Sequence, residues 1–166
     1  MQERRVEAEV DSAGLLAEGD PPSDGLVSIL RDWGVDIGGH VSRRLTAEAI
    51  ESTDLVVTME HYQVAEVVLV APEAWARTHT LREIVQRAGE VGPRSANEAF
   101  GNWLTRLGAG RRRTELVGAW HLDIADPIGQ GAFGIDRAAD EIDELVNRFV
   151  DLAWPKARGG RRARKR

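Results

Sequence analysis

The stretch DLVVTMEHYQVAEVVLVAP, residues 54–72, contains two short apolar runs that are rich in β-branched residues. The first run is Leu55–Met59, and the second is Val67–Val70, which ends ahead of Pro72. Runs of this length and composition are typical of strands that are covered on both faces, as in a parallel sheet. We therefore predict two buried strands here, with a helix that begins near Glu60 between them.

Upstream of this stretch, the sequence predicts one strand and two helices. Val6–Val10 alternates apolar and acidic residues, which is typical of a half-buried strand. Ser23 can cap a helix that ends at Gly34, because serine suits the first position and glycine the position after the last turn. Thr46 likewise predicts a short helix that runs through Ile50.

Downstream, the sequence predicts three helices. Thr80 with Glu83, and Ser95 with Glu98, have the spacing of capping boxes, each of which predicts a helix. The last helix ends before Pro155, and its apolar residues recur at helical spacing: Ile135, Ala138, Ile142, Leu145, Phe149 and Leu152. Short buried strands that alternate with helices indicate an α/β fold with a short parallel sheet, which we assign to residues 1–155.

The composition is that of one soluble globular domain, with 166 residues of which 42% are hydrophobic and 30% charged. The sequence contains no cysteine, which excludes disulfides, thiolate metal sites and a cysteine nucleophile within these residues. No apolar run approaches the roughly 20 residues that a membrane span needs. Residues 1–10 lack the apolar core of a secretory signal, so we expect a cytoplasmic protein without membrane contact.

Positive charge is concentrated at the end of the chain. Residues 156–166 hold seven basic side chains and no acidic one, although the net charge of the whole chain is −5. We interpret this segment as a basic, disordered tail, because it is interrupted by glycine and has no aromatic residue for base stacking. The remaining acidic body would repel nucleic acid, which is therefore not expected as a partner.

Two residues could carry acid–base chemistry. Asp126 precedes Pro127, whose fixed backbone could hold the carboxyl group for general acid catalysis. Asp and Pro are also common in the turn that begins a helix, and from local chemistry alone this interpretation is the better supported. His40, which follows two glycines, could be a base, a ligand or a hydrogen-bonding strut, and a lone histidine is more often structural.

Other polar residues give no clear ligand set. His61 and His79 lie in polar surroundings, and neither His121 nor Asp123 has a sequence neighbour that completes a metal site. The arginines at 43, 44 and 111–113 could bind phosphate, although solvated surface charge is the commoner role of such residues. No Gly-rich nucleotide motif occurs. The sequence therefore predicts no metal and no cofactor.

Five segments occur in a set order along the chain. They are DSAGL with GDPPSD at 11–24, GVDIGGHVSRRL at 34–45, DLVVTMEH at 54–61, THTLREI at 78–84, and ADPIGQ at 125–130 with the helix that follows. Together they resemble the low-molecular-weight protein tyrosine phosphatases, which share a fold with thioredoxin-coupled arsenate reductases. No segment is specific alone, but the five extend over roughly nine tenths of the chain.

The resemblance implies roles for three residues. The family's Asp-Pro pair falls on Asp126-Pro127, which makes Asp126 the acid that protonates the leaving oxygen. His40 matches the histidine that helps to hold the phosphate loop, and Ser12 matches the serine beside that loop. Many members have an aromatic residue after Asp-Pro, where this chain has Ile128-Gly129. The implied substrate is a phosphoprotein or a small phosphoester, with the preferred phospho-residue left open.

The chain departs from the family pattern at its front. The family opens with an apolar strand and a Cys-x5-Arg-Ser loop, whose thiolate attacks phosphorus and whose backbone N–H groups hold the phosphate oxygens. Neither the cysteine nor the loop occurs here, so we predict that the chain as written is inactive. The absent strand is the central one of the family's sheet, and its loss would leave strand edges unpaired.

Two main hypotheses follow. In the first, the chain is a truncated phosphatase whose start was placed at an internal methionine, with about 25 to 30 residues missing. The full protein would then form a cysteinyl-phosphate intermediate. In the second, the chain is a non-catalytic binding module whose exposed strand edges pair with a protein partner or a second copy. Arsenate reduction is a weaker third hypothesis, because it needs further redox cysteines.

Overall fold

A parallel pair of short strands lies at the centre of the computed structural model, which describes residues 8–16, 18–127 and 130–156. Strand β1 is Val56–Thr58 and strand β2 is Thr78–Thr80, in the register Val56 to Thr78. Helices surround the two strands. The predicted α/β class with a short parallel sheet is therefore confirmed.

The helices begin where polar side chains satisfy the first backbone N–H groups. Ser23, Thr46 and Thr80 each accept a hydrogen bond of this kind, as the sequence predicts. The α-helices of the described residues are α1 Asp24–Asp32, α2 Ala47–Glu51, α3 His61–Val70, α4 Leu81–Val91, α5 Phe100–Gly108 and α6 Gly131–Ala153. Short 3₁₀ turns cover Pro72–Arg77, Arg113–Leu116 and Trp120–Leu122.

Two hydrophobic clusters lie on either side of β1. The larger joins α4, α5 and α6, and Trp103 is fully buried within it while its indole N–H donates to the Gly92 carbonyl at 3.0 Å. The smaller joins α2 and α3 to the 3₁₀ turn that precedes β2, and Val56 packs against it. Met59, directly after β1, packs against the larger cluster instead. The site described below therefore rests on a strand that is anchored on both faces.

The prediction of a second strand at Val67–Val70 is wrong, because these residues form the last turn of α3. Gln63 and Glu60 form a capping box that begins this helix, and Val64, Val67 and Ala71 then fall at helical spacing and are buried. The second strand is instead the polar segment Thr78–Thr80, whose three side chains are all buried. The predicted helix start at Ser95 is also early by several residues, because α5 begins at Phe100.

The predicted strand Val6–Val10 lies partly outside the described residues, and its described part is not a strand. Residues 8–13 have no regular structure, and the Val10 side chain is 89% exposed. A single parallel bridge joins Gly14 to Arg44. Within the described residues no strand runs between this segment and β1, so it has no ladder to join.

Arg111 is not a solvated surface residue, contrary to the sequence interpretation of the 111–113 cluster. Its guanidinium is buried and bonds both carboxylate oxygens of Glu83, at 2.6 and 2.9 Å. It also donates to the Trp75 carbonyl at 2.7 Å and stacks on the Trp75 ring at 4.1 Å. This arginine therefore fastens the loop after α5 to α4 and to the 3₁₀ turn before β2.

Gly108, at the end of α5, permits a very close approach to that same turn. A Cβ atom at this position would lie 2.8 Å from the carbonyl oxygen of Ala76, which is closer than real Cβ contacts allow. Glycine therefore sets the distance between α5 and the segment that leads into β2.

The basic tail predicted for residues 156–166 lies, apart from Lys156, outside the described residues. Among the helices that are described, even α6, with 23 residues, lacks the apolar length that a membrane span requires.

Candidate functional site

The segment that carries Asp126 is attached at the carboxyl end of β1. Ile124 is buried and its backbone N–H donates to the carbonyl of Met59, the residue that follows β1, at 2.9 Å. In open α/β sheets, ligands bind beyond the carboxyl ends of the strands. The backbone therefore brings the Asp-Pro pair to the edge of the sheet where chemistry is expected.

A histidine–carboxylate pair forms a second attachment of this segment. Asp123 Oδ1 accepts the backbone N–H of His61 at 2.7 Å, and the His61 ring Nδ1 lies 2.7 Å from Asp123 Oδ2. Both side chains are only 13% exposed. The edge of the Trp120 ring packs against the His61 ring at 4.6 Å between centroids, while Trp120 itself is 73% exposed.

Asp126 lies exposed at the surface, close to other acidic groups. Burial raises the pKa of Glu60, and the negative charges of Asp123 and Asp126 raise it further. The backbone carbonyl of Asp126 accepts a hydrogen bond from the Gln130 side chain at 2.7 Å. The predicted substrate-wall position, Ile128-Gly129, lies outside the described residues.

Ser12 and His40 lie in a second, exposed region in which Gly14, Gly19 and Asp20 form backbone hydrogen bonds with residues 42–45. Gly14 N–H donates to the Arg43 carbonyl at 2.7 Å, and the Arg43 guanidinium reaches the Ser12 carbonyl at 3.5 Å. His40 closes a backbone turn onto Ile37 at 2.9 Å. The structure thus brings together the chain segments of the two predicted loop-support residues, whereas Asp126 is held by β1 and α3.

Comparison with known proteins decides the family. The family model described as low molecular weight phosphotyrosine protein phosphatase matches residues 1–92, more than half of the chain. This chain belongs to that family. The resemblance that the five sequence segments indicated is therefore confirmed, and so is the predicted fold of a low molecular weight phosphatase.

Individual phosphatases support the same assignment. The low molecular weight protein-tyrosine-phosphatase Etp of Escherichia coli K12 is 29% identical over 102 residues, which cover 60% of this chain and 69% of Etp. The structure of the YwlE arginine phosphatase from Geobacillus stearothermophilus aligns with a TM-score of 0.61 and 26% identity, over 86% of this chain and 72% of YwlE. Vibrio vulnificus Wzb, solved with benzylphosphonate, aligns at 0.57 with 23% identity, over 86% of this chain and 77% of Wzb, and shows the shared fold.

This chain supplies only one of the two chemical groups that catalysis in this family needs. A carboxyl group is available at the sheet edge, but none of the 166 residues is a cysteine. Among the described residues, no group of three or more His, Asp or Glu side chains could hold a metal ion. The chemistry that these residues can perform is therefore proton transfer rather than nucleophilic attack by a thiolate.

The contact between His61 and Asp123 was not predicted from the sequence. The two residues are 62 positions apart, show no ligand spacing and meet only through the fold. The usable signal was their placement: His61 follows a predicted strand by two residues, and Asp123 precedes the Asp-Pro pair by three. Residues that follow buried parallel strands gather at one edge of the sheet.

Proposed function

We propose that this chain carries the proton-donor side of a low molecular weight phosphatase site and does not itself hydrolyse phosphomonoesters. The observation that supports this most directly is the combination of an Asp-Pro segment attached at the carboxyl end of β1 with a complete absence of cysteine. Asp126 would be the general acid, and Ser12 and His40 would support a phosphate-binding loop.

The missing chemistry is attack on phosphorus. In the complete reaction, a cysteine thiolate bonds to phosphorus as the ester P–O bond breaks, and Asp126 gives its proton to the leaving oxygen. Asp126 then takes a proton from the water that hydrolyses the cysteinyl-phosphate. No residue of this chain can replace the thiolate, because a serine hydroxyl has neither the acidity of a thiol nor, at Ser12, a base that sequence or structure assigns to it.

In this proposal, translation of the full enzyme begins upstream of Met1, which is then an internal methionine. The upstream residues supply the cysteine loop. The free side of β1 supports this, because β1 pairs only with β2 among the described residues and Val57 is 38% exposed. A further strand between β1 and the segment at 8–13, which has no strand partner among the described residues, would complete the sheet. A reduced thiolate also favours a cytoplasmic location.

The same free strand edge favours a second function, that of a non-catalytic binding module. An extended segment of another protein, or of a second copy, would then pair with β1 by backbone hydrogen bonds. In this alternative Asp126 has no chemical role.

For the substrate, a phosphotyrosine protein or a small phosphoester agrees with the family and with Etp. Phosphoarginine is included in the test, because YwlE, which is 26% identical, is an arginine phosphatase. Phosphotyrosine loses an oxygen leaving group and phosphoarginine a nitrogen, and an acid such as Asp126 can protonate either.

The experiment compares the 166-residue chain with a version extended upstream along the genomic reading frame. We expect the 166-residue chain, and its Asp126→Asn variant, to release no phosphate from p-nitrophenyl phosphate above the buffer rate. We expect the extended chain to be active, and its Asp126→Asn variant to lose roughly 10²-fold or more in kcat. Phosphotyrosine peptide and phosphoarginine then define the substrate.

Two results would decide against the proposal. Release of phosphate by the 166-residue chain, abolished by Asp126→Asn, would show that the nucleophile had been overlooked. A reading frame without an apolar strand and Cys-x5-Arg ahead of the first codon would favour the binding module.

A further inference from the structure

The contact between His61 and Asp123 fixes one end of the Asp126 segment in two ways. Asp123 accepts the N–H of the first residue of α3, where the dipole of the ten-residue helix also favours a negative charge. The same carboxylate bonds the His61 ring at both oxygens, at 2.7 and 2.9 Å. Because a carboxylate only accepts hydrogen bonds, the ring proton lies on Nδ1, and the ring orientation is fixed together with the backbone.

Ile124, the residue after Asp123, fixes the position of the segment relative to β1. Ile124 is buried and bonds the Met59 carbonyl, so residues 123 and 124 are bonded to the two positions that flank Glu60. Asp126 follows Ile124 by two residues, which limits the separation of their Cα atoms to about 7 Å. These two attachments therefore limit where Asp126 can lie, together with the hydrogen bond from Gln130 to its backbone carbonyl.

Charge alone would push the Asp126 segment away from β1. Asp123 and Asp126 each repel Glu60 and add to the effect of burial, which is the first cause of its raised pKa, while His61 acts in the opposite direction. The N–H groups of His61 supply the compensating attraction.

We infer that Asp123 and His61 are positioning residues, which hold the Asp126 segment at the carboxyl end of β1 so that Asp126 faces the phosphoester. This inference rests on the proposed role of Asp126 as proton donor. Its structural part, the attachment itself, can be measured without any phosphatase activity.

Amide hydrogen exchange of the 166-residue chain tests the attachment. In Asp123→Ala we expect the amides of His61 and Ile124 to exchange on the order of tenfold or more faster, because His61 loses its charged acceptor and Ile124 the neighbouring attachment. Amides within α4 should keep their rates. Glu115→Ala is the matched control, since Glu115 also accepts one backbone N–H and one side-chain N–H, both from Arg112, but on the exposed surface.

Nitrogen-15 chemical shifts of the His61 ring provide a readout that a general loss of stability would not change. We expect the wild type to show the Nδ1–H tautomer. Asp123→Asn keeps an acceptor oxygen and should retain both this tautomer and slow exchange at His61 and Ile124, whereas Asp123→Ala should lose both.

Two outcomes would overturn the inference. One is an equal acceleration of exchange in α4 and at the amides of His61 and Ile124, which would mean that Asp123 serves only overall stability. The other is a His61 ring whose tautomer does not respond to Asp123→Ala. An upstream-extended chain without phosphatase activity would instead overturn the proposed function and leave the attachment intact. If that extended chain is active, Asp123→Ala should lower kcat while Asp123→Asn restores most of it.

Discussion

At the scale of single residues, the buried guanidinium of Arg111 leads to a quantitative prediction about the free energy of unfolding. Arg111→Met leaves the Glu83 carboxylate buried without its bidentate partner, which we expect to lower the free energy of unfolding by about 3–5 kcal/mol. Arg112→Met is the control, because Arg112 pairs with Glu115 on the exposed surface and should contribute less than about 1 kcal/mol. Urea unfolding at neutral pH measures both changes.

At low pH, the difference in the free energy of unfolding between Arg111→Met and the wild type should disappear. Burial alone would raise the pKa of Glu83, but the contacts with His79 and Arg111 outweigh it and lower the pKa from 4.5 to about 2. A carboxyl group of lowered pKa stabilises the fold above its unfolded pKa and loses that contribution as it is protonated. The wild type should therefore lose this advantage as the pH falls from 4.5 toward 2, and an advantage that persists at the lower pH would contradict the prediction.

Single-residue roles were only partly predictable from the sequence. The role of Asp126 stays a prediction from the Asp-Pro pair and the family pattern, and the sequence could not show that Arg111 is buried. A run of three arginines is normally solvated, and only the fold brings Trp75 and Glu83 to the first of them.

At the scale of elements, substitutions in α3 can test whether Val67–Val70 is helical, as in the structure, or extended, as the sequence predicted. In a strand, Val67 and Leu69 would point to the same face, whereas in a helix they diverge. Val67 is 2% exposed and Leu69 is 75% exposed. We expect Val67→Ala to lower the free energy of unfolding by about 1–3 kcal/mol and Leu69→Ala to change it by less than about 0.5 kcal/mol. Similar costs for the two variants, in chemical denaturation, would restore the strand interpretation.

The error at Val67–Val70 has a physical origin that also explains the missed strand. A short run of valines fits a buried strand and a buried helix equally well, and the capping box at Glu60 decided for the helix. Strand β2, Thr78–Thr80, lacks an apolar run altogether, since its buried threonine and histidine side chains are polar. Helix α4, which Thr80 caps, and helix α6, with its regular apolar spacing, were predictable because local signals and packing agree in them.

For the whole molecule, the two-stranded sheet predicts self-association. Within the described residues β1 has a partner strand on one side only, and exposed apolar side chains lie at Val10, Leu16 and Val57. Such edges pair with other chains. We expect sedimentation velocity to show larger species as the concentration of the 166-residue chain rises, and Val57→Lys to shift them toward monomer. Leu69→Lys, on α3, is the control and should have little effect, and a monomer at every concentration would contradict the prediction.

The close packing of Gly108 has a consequence for how homologous sequences can vary. Ala76, which approaches Gly108, lies next to Trp75, whose carbonyl and ring both hold Arg111. A mutation to alanine would push the turn outward and loosen its hold on the Arg111 guanidinium, although the Gly108 carbonyl could still accept the Arg111 backbone N–H. In homologous sequences, a larger residue at this position should therefore co-vary with replacement of the arginine and of its acidic partner on α4.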